Sequence, residues 1–226
     1  MVGAAGSAEG RQTTEEAEGV SVAASFIRYA FNEIAGRFFG ADGRFVSLAN
    51  VRAALDNALS GAADDAAAIA QAYTSGTIGI AEFERQIQQL IKDSQVYASA
   101  VAAGGFANID VVAIDVLQQR LAEQFSYLSN WADDLAAGTA QSTRGMAQRA
   151  KMYALSARNT YDVTYRAGQI ERGYGEELNV LHPGEHCELC IEQTDLGWVP
   201  IGTLIPIGQR TCLSNDLCTV TYRMSA

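Results

Sequence analysis

The chain has 226 residues, of which 48% are hydrophobic, and its formal net charge at pH 7 is −10. This hydrophobic content is enough to bury a core and excludes a wholly disordered chain. The acidic balance argues against a general nucleic-acid binder, since such proteins need a basic surface that displaces counterions from phosphates. No apolar run approaches the roughly 20 residues that a membrane-spanning helix needs.

Residues 1–18 are small, polar and acidic, and we interpret them as a flexible arm. The arm is either a plain disordered tail or a segment that becomes ordered on a neighbouring subunit. The N-terminus lacks the basic start and the following apolar stretch of a secretory signal. We therefore expect the protein to be made in a reducing cytoplasm, where paired cysteines hold metal more often than they form disulfides.

Alanine-rich segments with apolar residues three and four apart predict helices in the first part of the chain. A first helix is predicted from Val20 to the GADG sequence at 40–43, which is expected to end it. Ser47 is the predicted N-cap of a second helix through Leu59, and residues 64–76 are predicted to form a short third helix. The predicted buried positions are Phe26, Ile27, Ala30, Ile34 and Phe38 in the first helix, and Leu48, Val51, Leu55 and Leu59 in the second.

Three longer helices are predicted next. The first starts near Ile80 and ends at the glycine pair 104–105, the second is capped by Asp110, and the third runs from about Thr143 to Arg172. Because the connections between them are short, we expect these helices to pack as an antiparallel bundle. The predicted core positions are Phe83, Ile87, Leu90, Ile91, Ala98 and Val101, then Ile114, Leu117, Leu121, Phe125, Leu128, Ala132 and Leu135, and finally Tyr153, Ala157, Tyr161 and Tyr165.

The composition changes after Gly173, where glycines, prolines, β-branched residues and all four cysteines occur together. The stretch GWVPIGTLIPIG is typical of a strand, a turn and a second extended piece, and CTVTYR alternates like a final strand. The sequence thus predicts a mainly α protein. It has a helical bundle domain with long antiparallel helices over residues 19–174, and a small Cys-rich, zinc-ribbon-like β module over residues 175–226.

The four cysteines have the spacing C-x2-C-x21-C-x5-C and are Cys187, Cys190, Cys212 and Cys218. A C-x-x-C pair places two thiolates on one tight turn, and a second pair on a later loop completes the four ligands of a structural zinc site. The segment between the pairs has the length of a zinc-ribbon hairpin. Such an ion would contribute directly to folding, since about fifty residues bury too little apolar surface alone. Two disulfides are the alternative if the protein ends in an oxidising setting.

The histidines and carboxylates do not form a recognisable catalytic set. His186 adjoins the first cysteine, and it is a ligand in place of Cys218, a hydrogen-bond donor to a ligand, or an exposed side chain. The sequence has no P-loop, no G-x-S-x-G elbow and no H-E-x-x-H motif. The acidic pairs 64–65, 133–134 and 176–177 are expected to be solvated surface. We therefore expect a non-enzymatic protein.

The last third of the chain combines an Arg- and Tyr-rich helix, a His-Cys pair, Gly-Trp, Gly-Thr-Leu with a nearby proline, a Cys-rich segment and a strand that ends in Tyr-Arg. This pattern resembles the C-terminal region of tailed-bacteriophage minor head (head-morphogenesis) proteins, and the helices between residues 80 and 172 resemble their helical part. The family often has a cysteine where this chain has Asp216, which leaves the fourth ligand open among Cys218, His186 and Asp216. The pattern falls on His186, Cys187, Cys190, Gly197, Trp198, Gly202, Thr203, Leu204, Pro206, Gly208, Cys212, Cys218, Tyr222 and Arg223.

The resemblance implies a structural or assembly role in the virion, as a minor capsid protein of the head or the head–neck region. The expected partners are other virion proteins, namely major capsid, portal or neck proteins. The chain is expected as a homo-oligomer or in multiple copies, without a membrane or a specific nucleic acid. The alternative is a cellular zinc-ribbon adaptor that binds a protein partner through its bundle. A third possibility, an enzyme hidden in the helical part, lacks a convergent catalytic set.

Overall fold

The computed structural model describes residues 29–32, 35–138, 142–213 and 218–225. This part of the chain is mainly helical and contains two small antiparallel sheets. The predicted arm, residues 1–18, lies outside the described residues. Within the described ranges, no helix has both the length and the apolar character needed to cross a membrane.

The helices and strands fall into three successive groups along the chain: a β-meander, a set of long helices and a mixed C-terminal module. The strands are β1 (Tyr29–Asn32), β2 (Arg37–Gly40), β3 (Phe45–Val46), β4 (Glu176–Val180), β5 (Val199–Pro200) and β6 (Thr219–Arg223). The α-helices are α1 (Leu48–Thr74), α2 (Ile80–Ala103), α3 (Val111–Ala136), α4 (Thr143–Leu155), α5 (Ala157–Glu171) and α6 (Glu188–Asp195), and a 3-10 turn spans Phe106–Asn108.

The first predicted helix is wrong where the structure describes it, because β1, β2 and β3 form an antiparallel meander there. The Asn32 side chain accepts a hydrogen bond from the Ala35 amide at 2.9 Å, and Gly36 has a φ of +61°, so both favour a turn between β1 and β2. Phe31 lies opposite Phe38, and their rings meet edge to face at 5.1 Å. The GADG sequence turns the chain into β3. The predicted core residues Phe26, Ile27 and Ile34 lie outside the described residues.

Helix α1 begins after the predicted N-cap. The Ser47 hydroxyl oxygen accepts a hydrogen bond from the Asn50 amide at 3.2 Å, as the capping pattern requires. The helix does not end at Leu59 and continues to Thr74, so it also includes the predicted short third helix. Alanines on both sides of Gly61 support the continuous helix, although glycine itself is a weak helix former. The buried face carries Val51, Leu55, Leu59, Ala62, Ala63, Ala66 and Ala70, and Leu48 is half-buried.

Helices α2 and α3 have the predicted starts. Helix α2 ends at Gly104, whose φ of +83° closes the helix, and every predicted core position on α2 is buried. Asp110 caps α3, since its carboxylate accepts a hydrogen bond from the Ala113 amide at 2.7 Å. Of the predicted core positions on α3, only Leu128 and Ala132 are buried. The N-terminal half of α3 is therefore packed less completely than its apolar pattern predicts.

The third long helix is interrupted at Ser156, which separates α4 from α5. The Ser156 hydroxyl donates to the Tyr153 carbonyl at 2.7 Å and accepts a hydrogen bond from the Gln95 amide group at 3.0 Å. Gln95 is buried on α2 and also accepts a hydrogen bond from the Thr160 hydroxyl. A serine that bonds to the preceding turn competes with the regular helix, which explains a break without glycine or proline. The tyrosine face is buried as predicted, at Tyr153, Ala157, Tyr161 and Tyr165.

The helical core consists of two clusters. Trp131 lies in the first, where its ring meets Phe83 edge to face at 5.1 Å and stacks on Tyr153 at 5.7 Å. This cluster joins parts of α1, α2, α3 and α4. The second cluster joins the other ends of α1 and α2 to α5, to the first sheet and to Tyr222 of β6. Burial of such large side chains contributes about 1.5–3 kcal/mol each, so these clusters supply most of the apolar stabilisation.

The C-terminal module is built on β4, which lies between β5 and β6 and runs antiparallel to both. The predicted final strand is confirmed as β6. The predicted hairpin between the cysteine pairs is wrong. The strands β5 and β6 each pair with β4, and the chain after Cys187 forms the helix α6. The sequence pattern does not predict the strand β4, because its buried face is polar. The side chains of Glu177 and Asn179 on this face are 0% and 1% exposed. The expectation that Glu177 is solvated surface is therefore wrong.

Candidate metal centre

Three of the four predicted ligands lie together. The sulfur atoms of Cys187 and Cys190 are 3.3 Å apart, those of Cys190 and Cys212 are 3.5 Å apart, and those of Cys187 and Cys212 are 3.7 Å apart. Cys190 is buried, and the other two are half-buried. Within the described residues these three side chains form a group of donor atoms close enough to hold one metal ion.

The first two ligands are presented by the start of α6. Cys187 is the N-cap residue, and its carbonyl accepts hydrogen bonds from the Cys190 amide at 3.0 Å and the Ile191 amide at 3.3 Å. This turn brings the two thiols to one side of the chain. The neighbouring backbone amide of Cys190, and then its thiol, lower the pKa of Cys187 below the ordinary value. A lowered pKa favours the thiolate, which is the form that binds metal.

The spacing of the three sulfur atoms fits a tetrahedral thiolate site. With metal–sulfur bonds of about 2.3 Å, a tetrahedral zinc ion separates its thiolates by about 3.8 Å. The observed separations of 3.3–3.7 Å are close to this value. They are also far longer than the roughly 2.05 Å of a disulfide bond, and the four cysteines, all of them described residues, are not joined by disulfides.

The fourth predicted ligand lies beside a histidine. The sulfur of Cys218, at the start of β6, is 3.8 Å from Nδ1 of His186, the residue that precedes Cys187. Nε2 of His186 lies 2.5 Å from the His182 carbonyl, and Nε2 of His182 lies 3.0 Å from the Thr219 hydroxyl. Cys218 does not belong to the group of three close cysteines. Asp216, the remaining candidate, lies outside the described residues.

Glu177 holds the loop that leads to Cys212. Its Oε1 atom accepts hydrogen bonds from the Gly202 amide at 2.9 Å and the Leu204 amide at 2.7 Å. Its Oε2 atom lies 3.1 Å from Nε of Arg166 on α5, and Arg166 also donates to the Leu204 carbonyl at 3.2 Å. The carboxylate is fully buried, so this pairing is required to offset the cost of removing its charge from water.

Three further buried polar side chains bind the same loop. Asn159 on α5 donates to the Ile207 carbonyl at 2.5 Å, and the Asp162 carboxylate accepts a hydrogen bond from the Ile207 amide at 3.2 Å. Gln193 on α6 accepts a hydrogen bond from the Ile205 amide at 2.7 Å. These contacts join the long helix α5 to the segment that carries the third cysteine.

Several residues of the motif pattern have structural partners in the second sheet. Arg223 forms an ion pair with Glu176 at 2.7 Å, and its guanidinium lies 4.3 Å from the centre of the Trp198 ring. Tyr222 packs against Tyr165 of α5 with ring centres 5.9 Å apart, and burial raises the pKa of Tyr222. Trp198, Tyr222 and Arg223 therefore hold the module together and attach it to the helices.

The sequence did not reveal the polar side chains that support the cysteines. Glu177 and Asn179 are two residues apart and share a face of β4, so they would have been found together had the strand been recognised. Arg210 precedes Cys212 by two residues and is only 1% exposed. Its sequence context carried no signal, because an arginine in a loop is ordinarily exposed.

Comparison of the chain with protein-family models, with curated proteins and with solved structures found no match in any of the three.

Proposed function

We propose that Cys187, Cys190, Cys212 and Cys218 hold a structural zinc ion that stabilises the C-terminal module. The observation that carries this proposal is the cluster of three sulfur atoms 3.3–3.7 Å apart, drawn from two segments of the chain. Thiolate ligands in tetrahedral geometry select zinc or iron–sulfur clusters among the biological metals. Four thiolates fill the coordination sphere of zinc and leave no position for a substrate, so the ion is structural.

The module has a reason to need a metal ion. Among the described residues of the module, its own hydrophobic cluster has Leu204, Ile207 and Val220 as its only buried members. A core of this size contributes little free energy of folding, whereas the binding of zinc adds directly to it. The ion would fix α6 to the segment around Cys212.

We further propose that the protein is a non-enzymatic structural or assembly component of a bacteriophage virion, in the head or the head–neck region. The resemblance of the motif pattern to minor head proteins supports this role. The short connections from α2 to α3 and from α3 to α4 support the predicted antiparallel bundle of α2, α3 and the α4–α5 segment. Such a bundle would give the protein a rigid body for contacts with major capsid, portal or neck proteins.

An exposed apolar surface supports the role in protein–protein contact. Phe106, Val111, Val112 and Ile114 lie at and just before the start of α3, and their exposed fractions are 45%, 73%, 42% and 41%. We call these four residues the α3-start surface. Large apolar side chains that stay exposed close together in the chain are candidates for a site of interaction. In the proposed role, another virion protein covers the α3-start surface.

Particle composition tests the virion role. The experiment uses a phage or prophage from which the gene for this chain has been deleted. The host supplies the wild-type chain, Val111→Asp or Ala68→Asp in its place. Ala68 is exposed on α1 and serves as the matched control for an added carboxylate. Purified particles are then analysed by quantitative mass spectrometry.

We expect the wild-type chain and Ala68→Asp in purified particles at equal copy number, and Val111→Asp at a strongly reduced copy number. If the particles made in the presence of the wild-type chain contain none of it, the virion role is contradicted. Particles that contain both variants equally would retain the virion role but exclude the α3-start surface as the contact.

A further inference from the structure

Asn179, on a strand that carries no cysteine, connects the two segments that supply the metal ligands. Its side chain is 1% exposed. The Nδ2 atom donates to the Cys190 carbonyl at 3.2 Å and to the Thr194 hydroxyl at 2.7 Å, both in α6. The Oδ1 atom accepts a hydrogen bond from Nη1 of Arg210 at 2.8 Å. One amide group therefore contacts both sides of the metal centre.

Arg210 transmits this contact to the third ligand. Its Nε atom donates to the Ile205 carbonyl at 2.9 Å, and its own carbonyl accepts a hydrogen bond from the Leu213 amide at 2.9 Å. The second bond closes the turn that presents Cys212. The guanidinium thus fixes the backbone on which Cys212 stands, and it is itself held by Asn179.

From these contacts we infer that Asn179 and Arg210 are positioning residues of the metal centre, which hold Cys190 and Cys212 at the separation that one ion requires. The inference rests on the proposed zinc site. Ligands from two distant segments must be brought together before the ion binds, and groups that fix them beforehand reduce the entropic cost. We call this pair the Asn179–Arg210 clamp.

Asparagine is suited to this position because its amide carries both a donor and an acceptor. Aspartate would accept from Arg210 but would not donate to the Cys190 carbonyl. Leucine would match the volume of asparagine and leave the guanidinium of Arg210 without this acceptor. The contacts therefore depend on the chemistry of the amide as well as on its size.

A variant of Asn159 serves as the control that distinguishes a positioning role of Asn179 from a merely structural one. Asn159 is also buried, at 6% exposure, and its side chain donates to a carbonyl of the same loop, at Ile207. It stands on α5 and makes none of the contacts to α6. Asn159→Ala is therefore the matched control, since it removes a buried amide from this loop without touching the clamp.

The test measures zinc affinity of the full-length chain by competition with a chromophoric chelator, for wild type, Asn179→Ala and Asn159→Ala. We expect Asn179→Ala to lower zinc affinity by about 10- to 100-fold, the usual effect of removing a group that orients a metal ligand. Asn159→Ala is expected to lower the urea midpoint of the metal-free chain and to leave zinc affinity unchanged. Replacement of zinc by cobalt(II) adds a second readout, because the visible spectrum reports the tetrahedral geometry and should change only in Asn179→Ala.

The outcomes separate the clamp from the zinc site itself. A wild-type chain that binds no zinc refutes the zinc site. Wild-type binding with equal affinity in Asn179→Ala, or equal losses in both alanine variants, refutes the clamp alone. Should Asn179→Ala fail to fold, Asn179→Asp decides the question, since it retains the acceptor for Arg210: intermediate zinc affinity supports the clamp, and wild-type affinity refutes it.

Discussion

Cys218 and His186 lie side by side and are two candidate donors for the fourth position of the proposed zinc site. If Nε2 of His186 carries the proton and donates it to the His182 carbonyl, Nδ1 has the lone pair that faces Cys218 at 3.8 Å. Nδ1 then either accepts the thiol proton of Cys218 or binds the ion itself. We propose the first arrangement, in which Cys218 completes four thiolates and His186 supports it.

The identity of the fourth ligand is tested by Cys218→Ser and His186→Ala in the full-length chain. We expect Cys218→Ser to lose stoichiometric zinc, because a serine hydroxyl does not replace a thiolate, and His186→Ala to retain one zinc per chain with lower affinity. Zinc content after gel filtration measures both effects. Retention of zinc by Cys218→Ser together with its loss from His186→Ala would assign the fourth position to His186.

Asp162 is a buried carboxyl group whose titration should be visible in the stability of the protein. Burial raises its pKa above the ordinary value of 3.8, and the charge of Arg166, the Ile207 amide and the charge of Arg210 only partly oppose this effect. A folded-state pKa above the unfolded value means that the folded chain binds the proton more tightly. The stabilisation by the protonated form is therefore complete below about pH 4 and is lost as the pH rises through the raised pKa.

Asp162→Asn removes this titration and keeps an oxygen that accepts from the Ile207 amide. We expect the free energy of unfolding of the variant, relative to wild type, to increase as the pH rises from about 4 and to level off above the raised pKa. Urea unfolding at several pH values measures this difference. Asp65→Asn, an exposed carboxylate on α1 with the same change in net charge, is the control. Parallel pH curves for the two variants would contradict the assignment.

Helix α3 is packed unevenly along its length. The apolar stripe runs from Ile114 to Leu135 in the sequence, yet Leu128 and Trp131 are fully buried while Ile114 is 41% exposed. The other helices cover the C-terminal half of α3, and the α3-start surface remains exposed. Sequence periodicity predicts which face of a helix is apolar, but it does not predict how much of that face another element covers.

Two alanine substitutions on the same stripe test this difference in packing. We expect Leu128→Ala to lower the free energy of unfolding by about 2–5 kcal/mol, because it opens a cavity in the cluster around Trp131. Ile114→Ala is expected to change it by no more than about 0.5 kcal/mol, as at other exposed positions. Urea denaturation of the isolated chain measures both values. Equal losses would show that the start of α3 is buried in solution.

The long helices could be predicted from the sequence because their caps and periodicity agree, as at Asp110 and Gly104. The β1–β2 hairpin could not, because Phe31 and Phe38 lie seven residues apart, a spacing that fits a helical period. The break at Ser156 depends on Gln95, a residue sixty-one positions away. Such a contact is a tertiary effect that local propensity does not contain.

At the scale of the whole molecule, the C-terminal module and the helices are joined through buried polar groups as well as apolar ones. The Glu177–Arg166 ion pair and the Asp162 and Asn159 contacts connect α5 to the loop before Cys212. The grouping of Cys187, Cys190 and Cys212 could be predicted from their spacing in the sequence, since thiol pairs at short intervals have few roles. The Asn179–Arg210 clamp could not be predicted, because Asn179 lies on β4, a strand that the sequence does not reveal, and its partners are α6 and Arg210.

The same network explains why the module does not need a large hydrophobic core. Glu177 and Arg166 form a buried ion pair, and removal of one partner from such a pair costs several kcal/mol, on the order of 3–5. The network therefore favours one arrangement of the loop, which the proposed metal ion would close. We propose that sulfur atoms from two segments bind one ion.

Native mass spectrometry of the full-length chain, purified without chelators and with reductant, tests this claim most directly. We predict one zinc ion per wild-type chain, and a metal-free chain for Cys187→Ser. Thiol-labelling reagent should modify the four cysteines of the wild-type chain only after a strong chelator has removed the zinc. A wild-type chain that carries no zinc, whether its cysteines are free thiols or, in a parallel preparation without reductant, form two disulfides, would contradict the account.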